Sequence, residues 1–134
     1  MPPGTRLNYA DTFVPRLAVH EAKNLPASDS NGLSDPFVIL KYHGKKRTTS
    51  VIDKCLNPVW NGGEGESFSW QVQRWRGIAD YILHIAVYDD DIIGKDFLGQ
   101  KAIRLATLES NPEPKWYDLY SKTGHKIAGA QVCK

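Results

Sequence analysis

VYDDDIIGKDFLG, residues 87–99, places four aspartates within eight positions and sets Ile92 and Ile93 between them. Crowded carboxylates repel, and adjacent isoleucines ordinarily belong to a core. The residues just before the acids narrow the choice. In YILHIAVY (81–88), Leu83, Ile85 and Val87 alternate with other side chains. That is the period of a strand with one buried face. The acids therefore stand at the edge of a β-strand.

Working outward, further strand-like segments are RLAVHEA (16–22), PFVILKY (36–42), RTTSVI (47–52) and SFSWQV (67–72). After the acids come FLGQKAIRL (97–105), KWYDLY (115–120) and KIAGAQV (126–132). Turn residues separate them, in SDSNGLSDP, YHGKK, NPVWNGGEG, ESNPEP and SKTGH. ATLES (106–110) reads as one short helical turn. Eight short strands at this spacing predict an all-β fold, an eight-stranded antiparallel β-sandwich. Residues 1–13 read as a loosely held leader and residues 14–134 as a single domain.

Bulk properties exclude several classes. A net charge of +2 on 134 residues is too balanced for a dedicated nucleic-acid binder. No apolar run reaches the length of a membrane span, and MPPGTRLNYADTF lacks the apolar stretch of a signal peptide. Cys55 and Cys133 are too few for a disulfide framework, so reduced thiols and a cytoplasmic address are expected. His20, His43, His84 and His125 are scattered, and no nucleophile or metalloprotease motif occurs. No catalysis is expected. NGGEGES (61–67) is Gly-rich but acidic, a poor phosphate cradle, and is expected to form a second loop at the acidic end. Trp60, Trp70, Trp75 and Trp116 are expected to anchor the core or its rim.

Two loops carry the acids. SDSNGLSDP holds Asp29 and Asp35, and DDDIIGKD holds Asp89, Asp90, Asp91 and Asp96. Each cluster alone is compatible with turn aspartates bonding their own backbone. Together, at strand edges that a sandwich gathers at one end, they call for a cation. Calcium suits carboxylates and carbonyls in a tolerant geometry, whereas zinc would want His or Cys. Residues i and i+2 of an extended chain point the same way, so Asp89 and Asp91 aim at one site, with Asp96 closing it from the opposite wall. An EF-hand is excluded, because Ile93 and Gln100 fall where ligands are required.

NLPASDSNGLSDPFV (24–38), LNPVWN (56–61) and VYDDDIIGKDFLG (87–99) resemble the signatures of the C2 domain family, the calcium-binding module first recognised in protein kinase C. KWYDLYSKTGHKIAG (115–129) resembles its closing strands, and the likeness covers residues 14–133. The resemblance implies a sandwich whose loops at one end bind calcium and a membrane. Carried over, it makes Asp29, Asp35, Asp89, Asp91 and Asp96 ligands, joined by main-chain carbonyls near Ser28 and Asp90, around two ions. The strand order resembles the permuted, type II arrangement. One departure stands out: four residues, not five, separate Asp91 from Asp96.

On this resemblance Leu33, Ile92 and Ile93 are loop-tip residues suited to enter a bilayer interface, with Lys95 beside them. Lys41, Lys45, Lys46 and Arg47 resemble the lysine-rich face that some members use for phosphoinositide headgroups. The expected function is a calcium-dependent, membrane-targeting module for anionic phospholipid, phosphatidylserine above all. It is expected to be a cytoplasmic monomer, recruited to the membrane by calcium. Two alternatives are a calcium-independent protein–protein interaction module and the targeting fragment of a larger lipid-signalling enzyme.

Overall fold

PFVILKY forms the strand Pro36–Tyr42, in which every residue but Lys41 is buried. Val38, Leu40 and Tyr42 point into the main core. The computed structural model describes residues 12–14, 16–29, 31–42, 44–73, 81–110 and 113–134. The strands of this region, in chain order, are β1 (Thr12–Phe13), β2 (Arg16–Val19), β3 (Glu21–Lys23), β4 (Pro36–Tyr42), β5 (Lys45–Thr48), β6 (Glu66–Ser69), β7 (Val72–Gln73), β8 (Ile82–Asp91), β9 (Gly94–Arg104), β10 (Trp116–Tyr120) and β11 (Lys126–Cys133). The α-helix α1 (Leu105–Ser110) follows β9 and buries Leu105 and Leu108, three residues apart on one face.

Seven strands form a curled antiparallel sheet in the order β3-β11-β10-β9-β8-β4-β5. Opposite it lies a ribbon made of β1–β7 and β2–β6. Phe13 faces Val72 and Arg16 faces Ser69, so both pairs keep one register along the ribbon. The core between the layers takes Leu17 and Val19 from the ribbon, and Leu83, Ile85, Val87, Leu98, Leu119 and Val132 from the sheet. Trp60 and Trp70 are buried within it, while Trp116 is half-buried. Trp75, His43 and residues 1–11 of the expected leader lie outside the described residues.

The expected sandwich is present, with strand limits that differ for physical reasons. RLAVHEA is two strands, because His20 carries the chain from one layer to the other. Its N–H donates to the Cys133 carbonyl and its carbonyl accepts the Trp60 N–H, each at 2.9 Å. Gly65 makes this crossing possible: at φ +84° it approaches so closely that a Cβ would sit 2.9 Å from the Val19 carbonyl oxygen. The β-branched run RTTSVI predicts pairing throughout, but β5 ends at Thr48. The buried Thr49 hydroxyl takes over the Val38 N–H at 2.8 Å, substituting a side chain for the ladder. The acidic stretch is mostly strand, not loop. β8 runs through Asp91 and β9 starts at Gly94, joined by Ile92 and Ile93 alone.

Candidate metal centre

Asp89 continues the inward row of β8. Leu83, Ile85 and Val87 point to the core, and the next side chain of the same parity is Asp89, at 0% exposure. A carboxylate this deep needs donors. Ser28 Oγ donates to Asp89 Oδ2, and the Asp35 N–H donates to Asp89 Oδ1 at 2.5 Å. The strand also grips the first loop by its backbone, since the Asp90 N–H donates to the Asp35 carbonyl at 2.9 Å.

The first loop, residues 24–35, is shaped by its own polar residues. The Asp29 N–H donates to the Leu33 carbonyl at 2.9 Å, and the Leu33 N–H donates to Asn31 Oδ1 at 3.0 Å. The buried Ser34 hydroxyl accepts the Ser28 N–H at 3.1 Å and donates to the Pro26 carbonyl at 2.8 Å. A third segment braces this loop. The Lys54 N–H donates to Asp35 Oδ1 at 2.6 Å, and the Cys55 N–H donates to the Ser34 carbonyl at 2.8 Å. Lys54 does this from φ +47°, an unfavourable conformation for a side-chain-bearing residue. Sequence reasoning assigns neither Lys54 nor Ser34 a part in the acidic site. Ser34 precedes Asp35 and so lay within reach of a motif reading, but nothing in a lysine betrays a backbone N–H donor.

These contacts bring Asp29, Asp35 and Asp89 together, with one carboxylate oxygen of each within 4.8 Å of the others. No salt bridge reaches them among the described residues. Desolvation lifts the Asp29 carboxyl above the ordinary carboxylate range. Hydrogen bonding to Asp89 and the charges of Asp89, Asp35 and Asp91 push it the same way. An all-oxygen group of crowded carboxylates, with no positive charge beside them among the described residues, fits a hard cation, calcium before zinc.

Of the other expected ligands, Asp91 and Asp96 fall outside the 4.8 Å carboxylate group, although the Asp91 charge still acts on Asp29. Asp91 is exposed, and its Oδ1 accepts the Ile92 N–H at 2.7 Å, capping the turn. Asp96 lies opposite Asp89 in register but is exposed. The Asp90 side chain is exposed too. Ser28 presents its hydroxyl to Asp89. The expected second loop differs as well: Lys54 and Cys55 touch the first loop, whereas Gly63 offers its carbonyl to His20 Nδ1 at 3.1 Å.

At the tip, Ile92 and Ile93 are fully exposed, while Leu33 is half-buried. Lys95 lays its ammonium 5.3 Å from the centre of the Tyr88 ring. The four bases expected to face a phosphoinositide do not share a face. Lys41 pairs with Lys46, whereas Lys45 pairs with Tyr42 and Arg47 with Leu40. Partners in register share a face and successive residues alternate, so Lys45 and Arg47 lie opposite to Lys41 and Lys46. The Arg47 guanidinium lies 5.8 Å from the centre of the Trp70 ring.

Comparison with known proteins agrees with this architecture. A family model of the C2 domain matches residues 15–119. Rabphilin-1 of Caenorhabditis elegans is 41% identical over 114 residues, covering 78% of this chain and 10% of that protein. The solved tandem C2 domains of extended synaptotagmin 2 superpose with a TM-score of 0.73 at 24% identity, covering 99% of this chain and 45% of that one. Their calcium-bound form superposes with a TM-score of 0.68 at 27% identity, covering 90% and 44%. The chain spans from 10% to 19% of the length of the curated relatives it matches. On sequence and on fold, the chain belongs to the C2 domain family.

Proposed function

We propose that this C2 domain is a calcium-dependent membrane-targeting module, with Asp29, Asp35 and Asp89 holding the cation and the Ile92–Ile93 turn touching the bilayer. One observation carries the reading. Carboxylates from two segments, Asp35 and Asp89 being 54 residues apart, converge within 4.8 Å on the hairpin that bears a fully exposed apolar tip. A C2 domain is a non-catalytic module, and the family commonly binds calcium. The proposed stoichiometry is one ion, not the two implied by resemblance, because Asp91 and Asp96 stand outside the three-carboxylate group.

When bound, calcium supplies the positive charge these carboxylates lack and coordination positions open to lipid phosphate or carboxylate oxygens. The residues of the chain do the rest. Uncompensated, the three acids oppose an anionic surface; one bound ion offsets two of their three charges and weakens that repulsion. Ile92 and Ile93 each contribute on the order of 1.5–3 kcal/mol if fully transferred to an apolar environment, and less at half depth. Lys95 adds about 1 kcal/mol near an anionic leaflet. No helix among the described residues is long and apolar enough to cross a membrane. The proposed attachment is peripheral, from the cytoplasmic side, by a monomer.

Sedimentation with phosphatidylserine vesicles tests this. Pelleting is expected with calcium and is expected to reverse with a chelator. Equal pelleting in chelator overturns the calcium switch. No pelleting in either condition, with a melting temperature indifferent to calcium, favours a protein-interaction module.

A further inference from the structure

The basic residues of β5 have no part in the cation site, and their register denies them a common face for a flat anionic ligand. We propose instead that they present Ser50 to a basophilic protein kinase, and that a phosphate there loosens the segment bracing Asp35.

Arg47 and Lys45 lie three and five residues ahead of Ser50. Both spacings from the acceptor are odd, and the β5 register puts the two on one face, with Lys46 on the other. On that face, shared with Leu40 and Tyr42, Lys45 is exposed and Arg47 is half-buried against Trp70, so the edge strand must release Arg47 before both cations meet one acidic wall of a kinase cleft, the arginine in bidentate fashion. β5 ends the strand order of the large sheet, so its outer edge carries no ladder among the described residues. Ser50 is exposed, whereas the neighbouring Thr49 is buried with its hydroxyl engaged to Val38.

The acceptor sits at a mechanical junction. The Ser50 hydroxyl donates to Glu66 Oε2, and the Ser50 N–H donates to Glu66 Oε1 at 2.9 Å. The Ser50 carbonyl accepts the indole N–H of buried Trp60 at 2.8 Å. From here the chain runs to Ile52, whose N–H bonds the Pro36 carbonyl, and on to Lys54, whose N–H holds the Asp35 carboxylate. In the transfer, a bond forms between Ser50 Oγ and the γ-phosphorus of ATP as the bond to the bridging oxygen breaks. ADP leaves, and the hydroxyl proton passes to the kinase's catalytic aspartate. The product carries about −1.5 to −2 charge and has lost the hydroxyl proton that Glu66 accepted. Repulsion then replaces the clamp. The step from the clamp to the cation site rests on the calcium reading; the acceptor assignment does not.

The test treats the full chain with the catalytic subunit of a cyclic-AMP-dependent protein kinase and Mg-ATP, and maps the phosphate by mass spectrometry. Ser50 is the expected site. Arg47→Ala is expected to slow labelling at least about tenfold, and Lys46→Ala less than about twofold. Labelling of Thr48 or Thr49 instead, or none at all, overturns the acceptor assignment. Phosphorylated chain is expected to melt a few degrees lower, roughly 2–6 °C, and Glu66→Gln to remove most of that difference. An unchanged melting temperature overturns the clamp. In calorimetry, phosphorylation is expected to weaken calcium binding at least about threefold. Equal affinity overturns the coupling. Absence of calcium binding in the unmodified chain overturns the calcium reading, and the coupling with it, while leaving the acceptor assignment standing.

Discussion

Asp89 of β8 holds Asp35 of the first loop by its backbone: Asp89 Oδ1 accepts the Asp35 N–H at 2.5 Å across 54 residues of sequence. One buried carboxylate thus fixes the loop and contributes to the cation group. Asp89→Asn keeps the shape and removes the charge. Calcium affinity is expected to fall at least about tenfold, and the calcium-induced rise in melting temperature to disappear. Titration calorimetry and thermal melts with and without calcium check this. A full calcium response in the variant would place the ion elsewhere.

The exposed tip separates binding from folding. Ile92→Ser with Ile93→Ser removes apolar surface that is fully exposed in the folded chain. Stability is expected to change by less than about 0.5 kcal/mol. Affinity for phosphatidylserine vesicles in calcium is expected to drop roughly 10- to 100-fold. Vesicle binding that survives intact would show the turn does not enter the interface.

Asp118 gives the acid limb of stability a defined sign. Its carboxyl lies below the ordinary range, first because Gln131 Nε2 donates to Oδ1 at 2.8 Å, then through the charge of Lys126, whose Nζ is 3.5 Å from Oδ2. The native state therefore binds protons less readily than the unfolded chain. Its contribution is complete above the unfolded value of about 3.9 and is lost as pH falls through the lower native value. Asp118→Asn is expected to flatten the fall of melting temperature on acidification in that window. An identical acid profile in the variant would remove Asp118 from the account.

Gly99 is a packing constraint. A Cβ there would lie 2.9 Å from Leu119 Cβ, in a buried position between β9 and β10. Gly99→Ala is expected to cost about 1–3 kcal/mol, read as a lower denaturant midpoint at unchanged slope. No loss would mean the sheet shifts freely to admit the methyl group.

Much of the fold was legible along the chain. The alternation of Leu83, Ile85 and Val87 predicted a strand with one buried face, and the structure extends that parity to Asp89. The limits of β5 were not legible, because Thr49 replaces a ladder bond with its own hydroxyl. Nor was the division of RLAVHEA at His20, which depends on Trp60 and Cys133, distant in sequence, both bonding the same residue's backbone. Such contacts are set by partners that no local pattern names.

The amino-acid order by itself determined that this chain is a β-sandwich with acids at its strand ends, since period-two hydrophobicity and turn residues are local properties of neighbouring side chains. Only the tertiary structure decided which acids meet. Asp29, Asp35 and Asp89 converge, while Asp91 caps its own turn and Asp96 stays in solvent. The reason is geometric: carboxylates from separate segments come within a few ångströms only where register, loop bracing and burial bring their backbones together, and a one-step change of register would turn each side chain to the opposite face.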